Sequence, residues 1–158
     1  MLSLRLVGLL VLAGCSGGIP GLSPQPDRSP LQVTATNGTA SSAPLISWTP
    51  IGATSVYVND ENGRTVWGIE AGNRSLPNNR SERVLIESPV PYGAYADATG
   101  ASEETPRTTT APQTLQPGQT YTANVTYLGG GSGGFTGMRP IVRRGSATFT
   151  VSVPVGGE

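Results

Sequence analysis

The sequence predicts an all-β chain folded as an antiparallel β-sandwich, and three observations carry that expectation. Apolar and polar residues alternate with period two in several short runs. No segment sustains a 3.6-residue apolar period, and the runs are separated by Gly, Pro, Asn and Asp. The 158 residues include 22 Gly and 14 Pro while only 13% are charged, a profile of short strands joined by turns.

Leu31, Val33 and Ala35 alternate with Gln32, Thr34 and Thr36 until Asn37-Gly38, which predicts a half-buried first strand. In Leu45-Ile46-Ser47-Trp48-Thr49-Pro50, Ile46 and Trp48 share a face, and Pro50 ends the pairing because it lacks an N–H. Residues 55–59 and 64–71 flank Asp60-Glu61-Asn62-Gly63 and read as a hairpin, since Asn-Gly supplies the positive φ of such turns. Trp67 and Ile69 then lie on one face. A further strand is expected from Glu82 to Glu87, with Val84 and Ile86 on one side.

The last two strands show the cleanest alternation. Tyr121, Ala123, Val125 and Tyr127 oppose Thr122, Asn124 and Thr126; Ala147, Phe149, Val151 and Val153 oppose Thr148, Thr150 and Ser152. One apolar and one polar face is what an antiparallel sheet with a solvated side requires. Roughly six or seven such strands over about 125 residues point to two packed sheets.

Two stretches resemble fibronectin type III domains, a family of immunoglobulin-like sandwiches. Leu115-Gln116-Pro117-Gly118-Gln119-Thr120-Tyr121 is similar to the Leu-x-Pro-Gly-x-x-Tyr stretch that opens the family's penultimate strand, and Ser47-Trp48-Thr49-Pro50 to its second-strand tryptophan. The resemblance implies that Tyr121 forms a tyrosine corner, its hydroxyl bonded to backbone just upstream and its ring in the core. It implies that Trp48 is a central core residue and that Leu115 and Pro117 belong to the structural motif. The domain spans 31–154. Between Ala71 and Leu115 the chain departs from the family, with about 40 residues in place of a shorter connection. These residues either add a strand or form a long loop over one sheet edge.

The N-terminal residues read differently. Arg5 precedes an apolar run from Leu6 to Leu12, followed by Ala13, Gly14 and the chain's one Cys, Cys15. That run is far shorter than the ~20 residues of a membrane-spanning helix and has the form of a cleaved signal, residues 1–14. Leu12-Ala13-Gly14-Cys15 resembles the lipobox of bacterial lipoproteins. The resemblance implies that the Cys15 thiol carries diacylglycerol, that the bond before it is cut, and that fatty acid such as palmitate completes a membrane anchor. Ser16, rather than Asp, implies sorting to the outer membrane in a diderm organism; with a single membrane, the anchor lies on the outer face of the plasma membrane. Residues 15–30 are rich in Gly and Pro and read as the lipidated Cys and a flexible tether.

Composition limits the chemistry. The chain has no His, and all ten basic residues are Arg, so no ordinary base stands ready to activate a Ser or Thr nucleophile. A single Cys precludes an internal disulfide and a closed structural zinc site. Asp60 and Glu61 are adjacent turn acids that point apart, unsuited to paired hydrolysis, and the spacing of Asp60-Glu61-Asn62 fits no calcium loop. No catalytic residue, metal or cofactor is expected beyond the acyl modification. Net charge is zero and the arginines form no stripe, which speaks against nucleic acid. Triplets at Asn37, Asn73, Asn79 and Asn124 match the glycosylation pattern and read as chance in so Ser- and Thr-rich a chain.

The expected interaction feature is the Gly-rich loop between the last two strands, read as long and mobile, which carries Phe135, Met138 and Arg139. These readings combine into a non-catalytic cell-envelope lipoprotein whose domain is an interaction or spacer module, meeting an envelope protein or polysaccharide. Two alternatives stand beside it. One is a carbohydrate-binding lipoprotein with Trp67, Tyr92 and Tyr95 as a stacking platform; the other is an accessory subunit of an envelope hydrolase.

Overall fold

A computed structural model of the chain describes residues 28–39, 42–77, 80–96, 105–129 and 141–152. Among them all regular structure is strand, and every strand pairing is antiparallel. The alternation of the sequence becomes two sheets. The smaller has the order β1-β2-β7, formed by Gln32–Ala35 (β1), Leu45–Thr49 (β2) and Val90–Pro91 (β7). The larger has the order β10-β9-β3-β4-β8, formed by Ser55–Asn59 (β3), Thr65–Glu70 (β4), Arg107–Thr110 (β8), Thr120–Gly129 (β9) and Ile141–Thr150 (β10). A separate hairpin joins Gly72–Leu76 (β5) to Arg80–Val84 (β6).

The inward positions of both sheets meet in one apolar cluster. Ile46, Trp48 and Val90 come from the smaller sheet; Val56, Val58, Trp67, Ile69, Ala123, Val125 and Phe149 come from the larger. Burial of each large side chain among these contributes about 1.5–3 kcal/mol, which makes this shared core the main stabilising feature. Ala53 and Ile86, both fully buried in this cluster, exchange both backbone hydrogen bonds at 2.8 Å.

The hairpin between β3 and β4 forms at the turn read from the sequence. Gly63 has φ of 77°, and the Asp60 carboxylate accepts the N–H groups of Asn62 and Arg64 at 2.9 and 2.8 Å. Asp60 is thus spent on its own turn.

Three elements differ from expectation. The strand placed at Glu82 to Glu87 begins earlier, at Arg80, and ends at Val84. It pairs with β5, a strand whose interior is exposed and which therefore shows no apolar alternation. The long connection contributes strands as well as loop: β7 extends the smaller sheet and the Thr run of β8 extends the larger one beside β4. The last strand is longer than its alternation indicated, starting at Ile141 and pairing with β9 over ten residues. Its first half was hidden because Arg143 occupies an inward position that an apolar residue would otherwise mark; Arg143 is 6% exposed.

Gly145 explains how the chain's entry packs. A Cβ there would collide with the Leu31 carbonyl and lie 2.6 Å from Val33 Cγ2. Only glycine lets the start of β1 cross β10 so closely, and Leu31 N–H donates to the Arg144 carbonyl at 3.1 Å at that crossing.

Candidate functional site

The Leu115 to Tyr121 stretch folds as its residues dictate. Gln116-Pro117-Gly118-Gln119 closes a turn in which Gln119 N–H donates to the Gln116 carbonyl at 3.2 Å and Gly118 has φ of 80°. Pro followed by Gly suits the central pair of a type II turn. The turn brings Gln116 back over Tyr121, whose hydroxyl accepts the Gln116 N–H at 2.9 Å. The Tyr121 ring is buried and stacks on Phe149 with centroids 5.7 Å apart. Leu115 packs half-buried against the core, and Pro117 is exposed at the tip. Trp48 lies in the core at 3% exposure.

Tyr92, just after β7, is a second tyrosine pin that the sequence did not reveal. Its hydroxyl lies 2.7 Å from the Gln113 carbonyl and 3.1 Å from the Val66 carbonyl, and it accepts the Gln113 N–H at 3.1 Å. One side chain thus ties the smaller sheet's end to β4 and to the segment entering β9. Burial pushes its pKa up to about 12, against the opposing effect of the Gln113 backbone bond. Tyr92, Leu115 and Pro117 all border a surface cleft of about 510 Å³.

The outer face of the larger sheet carries a polar cluster. Tyr57 Oη donates to Glu70 Oε1 at 2.5 Å, and Arg107 Nη2 lies 3.2 Å from Glu70 Oε2. The Tyr57 hydrogen bond, more than the Arg107 guanidinium, holds the Glu70 carboxyl below its ordinary value. Tyr57 shifts upward, through its own burial first and then through the Glu70 carboxylate. Gly68 makes room for this arrangement, since a Cβ there would sit 2.7 Å from the Tyr57 ring.

The proposed stacking platform is not assembled. Trp67 is 0% exposed and tilts at 56° against Tyr92, so it presents no face to a ligand. Tyr95 is 38% exposed, at φ of 61°, with its carbonyl engaged by the Thr108 hydroxyl. The reason is the alternation itself: Trp67 shares the inward face with Ile69. Cys15, with Leu12, Ala13 and Gly14, and the loop residues Phe135, Met138 and Arg139 lie outside the described residues.

Comparison with protein-family models, with curated proteins and with solved structures returns no match. Function therefore rests on the residues themselves. Among the described residues no three His, Cys, Asp or Glu side chains come together as a metal-holding group. Glu61, the neighbour of Asp60, accepts the Thr120 N–H at 3.3 Å, so the two turn acids serve different backbone donors. On the outer face of the larger sheet, Tyr57, Glu70 and Arg107 form one connected group of polar side chains.

Proposed function

We propose that the chain is a non-catalytic cell-envelope lipoprotein, held by acylated Cys15, whose fibronectin type III-like domain serves as an interaction or spacer module. The observation that carries this reading is Leu12-Ala13-Gly14-Cys15 behind an apolar run too short to span a bilayer. One acyl chain anchors only marginally and two or three anchor stably, so the diacylglyceryl group is the physical basis of retention. The anchor is in the outer membrane of a diderm organism, or on the outer face of the plasma membrane where there is only one.

Strand order supports the immunoglobulin-like reading of the domain. Such sandwiches put their first, second and fifth strands in one sheet, and their third, penultimate and last in the other. Here β1, β2 and β7 form one sheet, and β3, β9 and β10 belong to the other. The β5–β6 hairpin and β8 are additions to that plan. The Gln116 to Tyr121 bond supports the tyrosine corner. The absence of His and Lys from the whole sequence supports a binding or spacing role over a hydrolytic one.

Metabolic labelling with a palmitate analogue tests the anchor. The expected result is label on the wild-type chain, none on Cys15→Ser, and loss of membrane retention in that variant. An unlabelled wild type, or a Cys15→Ser chain retained with an unchanged mature N-terminus, would overturn the reading.

A further inference from the structure

One rung of the five-stranded sheet crosses its outer face from edge to edge. Arg144 of β10 stands opposite Thr126 of β9, Thr126 opposite Ser55 of β3, Ser55 opposite Glu70 of β4, and Glu70 opposite Arg107 of β8. Residues directly opposite in an antiparallel sheet project to the same side. The rung therefore sets guanidinium groups at both ends and small hydroxyl side chains in the middle. Four strand spacings of ~4.8 Å put its end residues roughly 19 Å apart.

The β5–β6 hairpin walls this rung. Asn73 and Arg83 are a cross-strand pair of the hairpin, and Arg83 Nη1 donates to the Leu128 carbonyl at 3.1 Å. Together they bound an open trough of about 430 Å³. Three arginines and one carboxylate line it. Glu70 is already engaged by Tyr57 and Arg107, while the Arg83 bond to a neutral carbonyl leaves that charge uncompensated. The trough is thus cationic on a chain whose formal net charge is +0.

Leu128 and Val142 stand opposite each other at one end of the trough, 38% and 44% exposed. Three chemistries are therefore side by side: guanidinium groups for anions, the hydroxyl and amide groups of Ser55, Thr126 and Asn73 for hydroxyls, and an apolar ledge for C–H faces. A sugar ring bearing a carboxylate has all three complements. A peptide would need pockets to seat anchoring side chains, and the shallow trough with its short central side chains provides none.

We infer that this trough binds an acidic polysaccharide of the uronate type, with carboxylates held by Arg83 and Arg144 and sugar rings laid along the rung. The inference rests on the reading of the domain as an interaction module and is independent of the anchor. Calorimetric titration of the purified full chain with oligogalacturonate, a neutral galactan oligomer and a polyglutamate peptide tests it. Saturable binding is expected for the oligogalacturonate alone and should weaken as salt is added. Arg144→Gln and Arg83→Gln should each weaken it about tenfold, as loss of a charge-assisted hydrogen bond does, with the unfolding midpoint unchanged in Arg144→Gln and lowered in Arg83→Gln only by loss of the exposed bond to Leu128. Glu70→Gln should tighten it by removing the one negative charge. No saturable binding of oligogalacturonate, equal binding of the neutral oligomer, tighter binding of polyglutamate, or weakening by Glu70→Gln equal to that by Arg144→Gln would each overturn the inference. Failure here with Cys15 labelled overturns the ligand and leaves the anchor standing; an unlabelled Cys15 does the reverse.

Discussion

Arg143 and Ser29 are joined across 114 positions of the chain: Nε of the buried arginine donates to the Ser29 carbonyl at 2.6 Å. A guanidinium on the inward face of β10 is costly unless its donors are met, and the entering chain supplies an acceptor. Ser29, read from composition as part of a flexible tether, is therefore fastened to the last strand.

Arg143→Ala removes that fastening. A hydrogen bond to a charged group contributes about 1.5–3 kcal/mol, so a loss of that size is expected in urea unfolding. Hydrogen exchange at Leu31 N–H should accelerate more than at the centre of β9. Uniform acceleration would mean that Arg143 supports the whole sheet and not the chain's entry.

Gly145→Ala should also loosen the crossing of β1 over β10, by a different route. The added methyl meets backbone, which gives less readily than a side chain tip, and overpacking of this kind costs typically 1–3 kcal/mol. A neutral effect on the unfolding midpoint would show that the entering strand shifts freely.

The two tyrosine pins should respond unequally to removal of their hydroxyls. Tyr121→Phe frees one N–H, that of exposed Gln116, which water can reach, so about 1 kcal/mol is expected. Tyr92→Phe breaks contacts with both Val66 and Gln113 and should cost more. The Tyr92 pKa is raised to about 12 in the fold against about 10 in the unfolded chain, so the folded state holds its proton more tightly. Its contribution is complete below about pH 10 and is lost as pH rises toward 12. Tyr92→Phe should flatten that alkaline limb of stability, and an unchanged limb would assign it to Tyr57, which shifts in the same direction.

Glu70 provides an acid-side counterpart. Its pKa is lowered, chiefly by the Tyr57 hydrogen bond, so its contribution is present above the unfolded value and fades as pH falls through the folded one. Tyr57→Phe should raise the Glu70 titration midpoint more than Arg107→Gln does, as read by carbon NMR of the carboxyl. The Arg107 side chain is 68% exposed, and solvent screening limits such a pair. The opposite order would make charge, rather than the phenol, the dominant influence.

Legibility followed where the determining contacts lie along the chain. The Tyr121 corner was readable because its partner is five residues away and its turn is written as Pro-Gly. Tyr92 was not, because its partners lie 21 and 26 residues off and nothing local marks them. The two tryptophans were equally visible as aromatics, and the alternation with Ile46 and Ile69 assigned both to inward faces. Expecting Trp67 on an exposed platform set that pattern aside. The strands β5 and β8 escaped detection because their residues are mostly polar and exposed, and polar strands carry no apolar period.

The all-β class, the turn at Gly63 and the inward faces of β2, β4 and β9 are written in the chain itself, as is the resemblance of Leu12 to Cys15 to a lipobox. All of these are local: a period of two, a residue tolerant of positive φ, a run of side chains. Burial of Arg143, the pairing of β8 beside β4, and the alignment of Arg144, Thr126, Ser55, Glu70 and Arg107 in one rung come from long-range packing. Register between distant strands sums many small packing and hydrogen-bond terms over the whole core, and no single stretch of chain contains them.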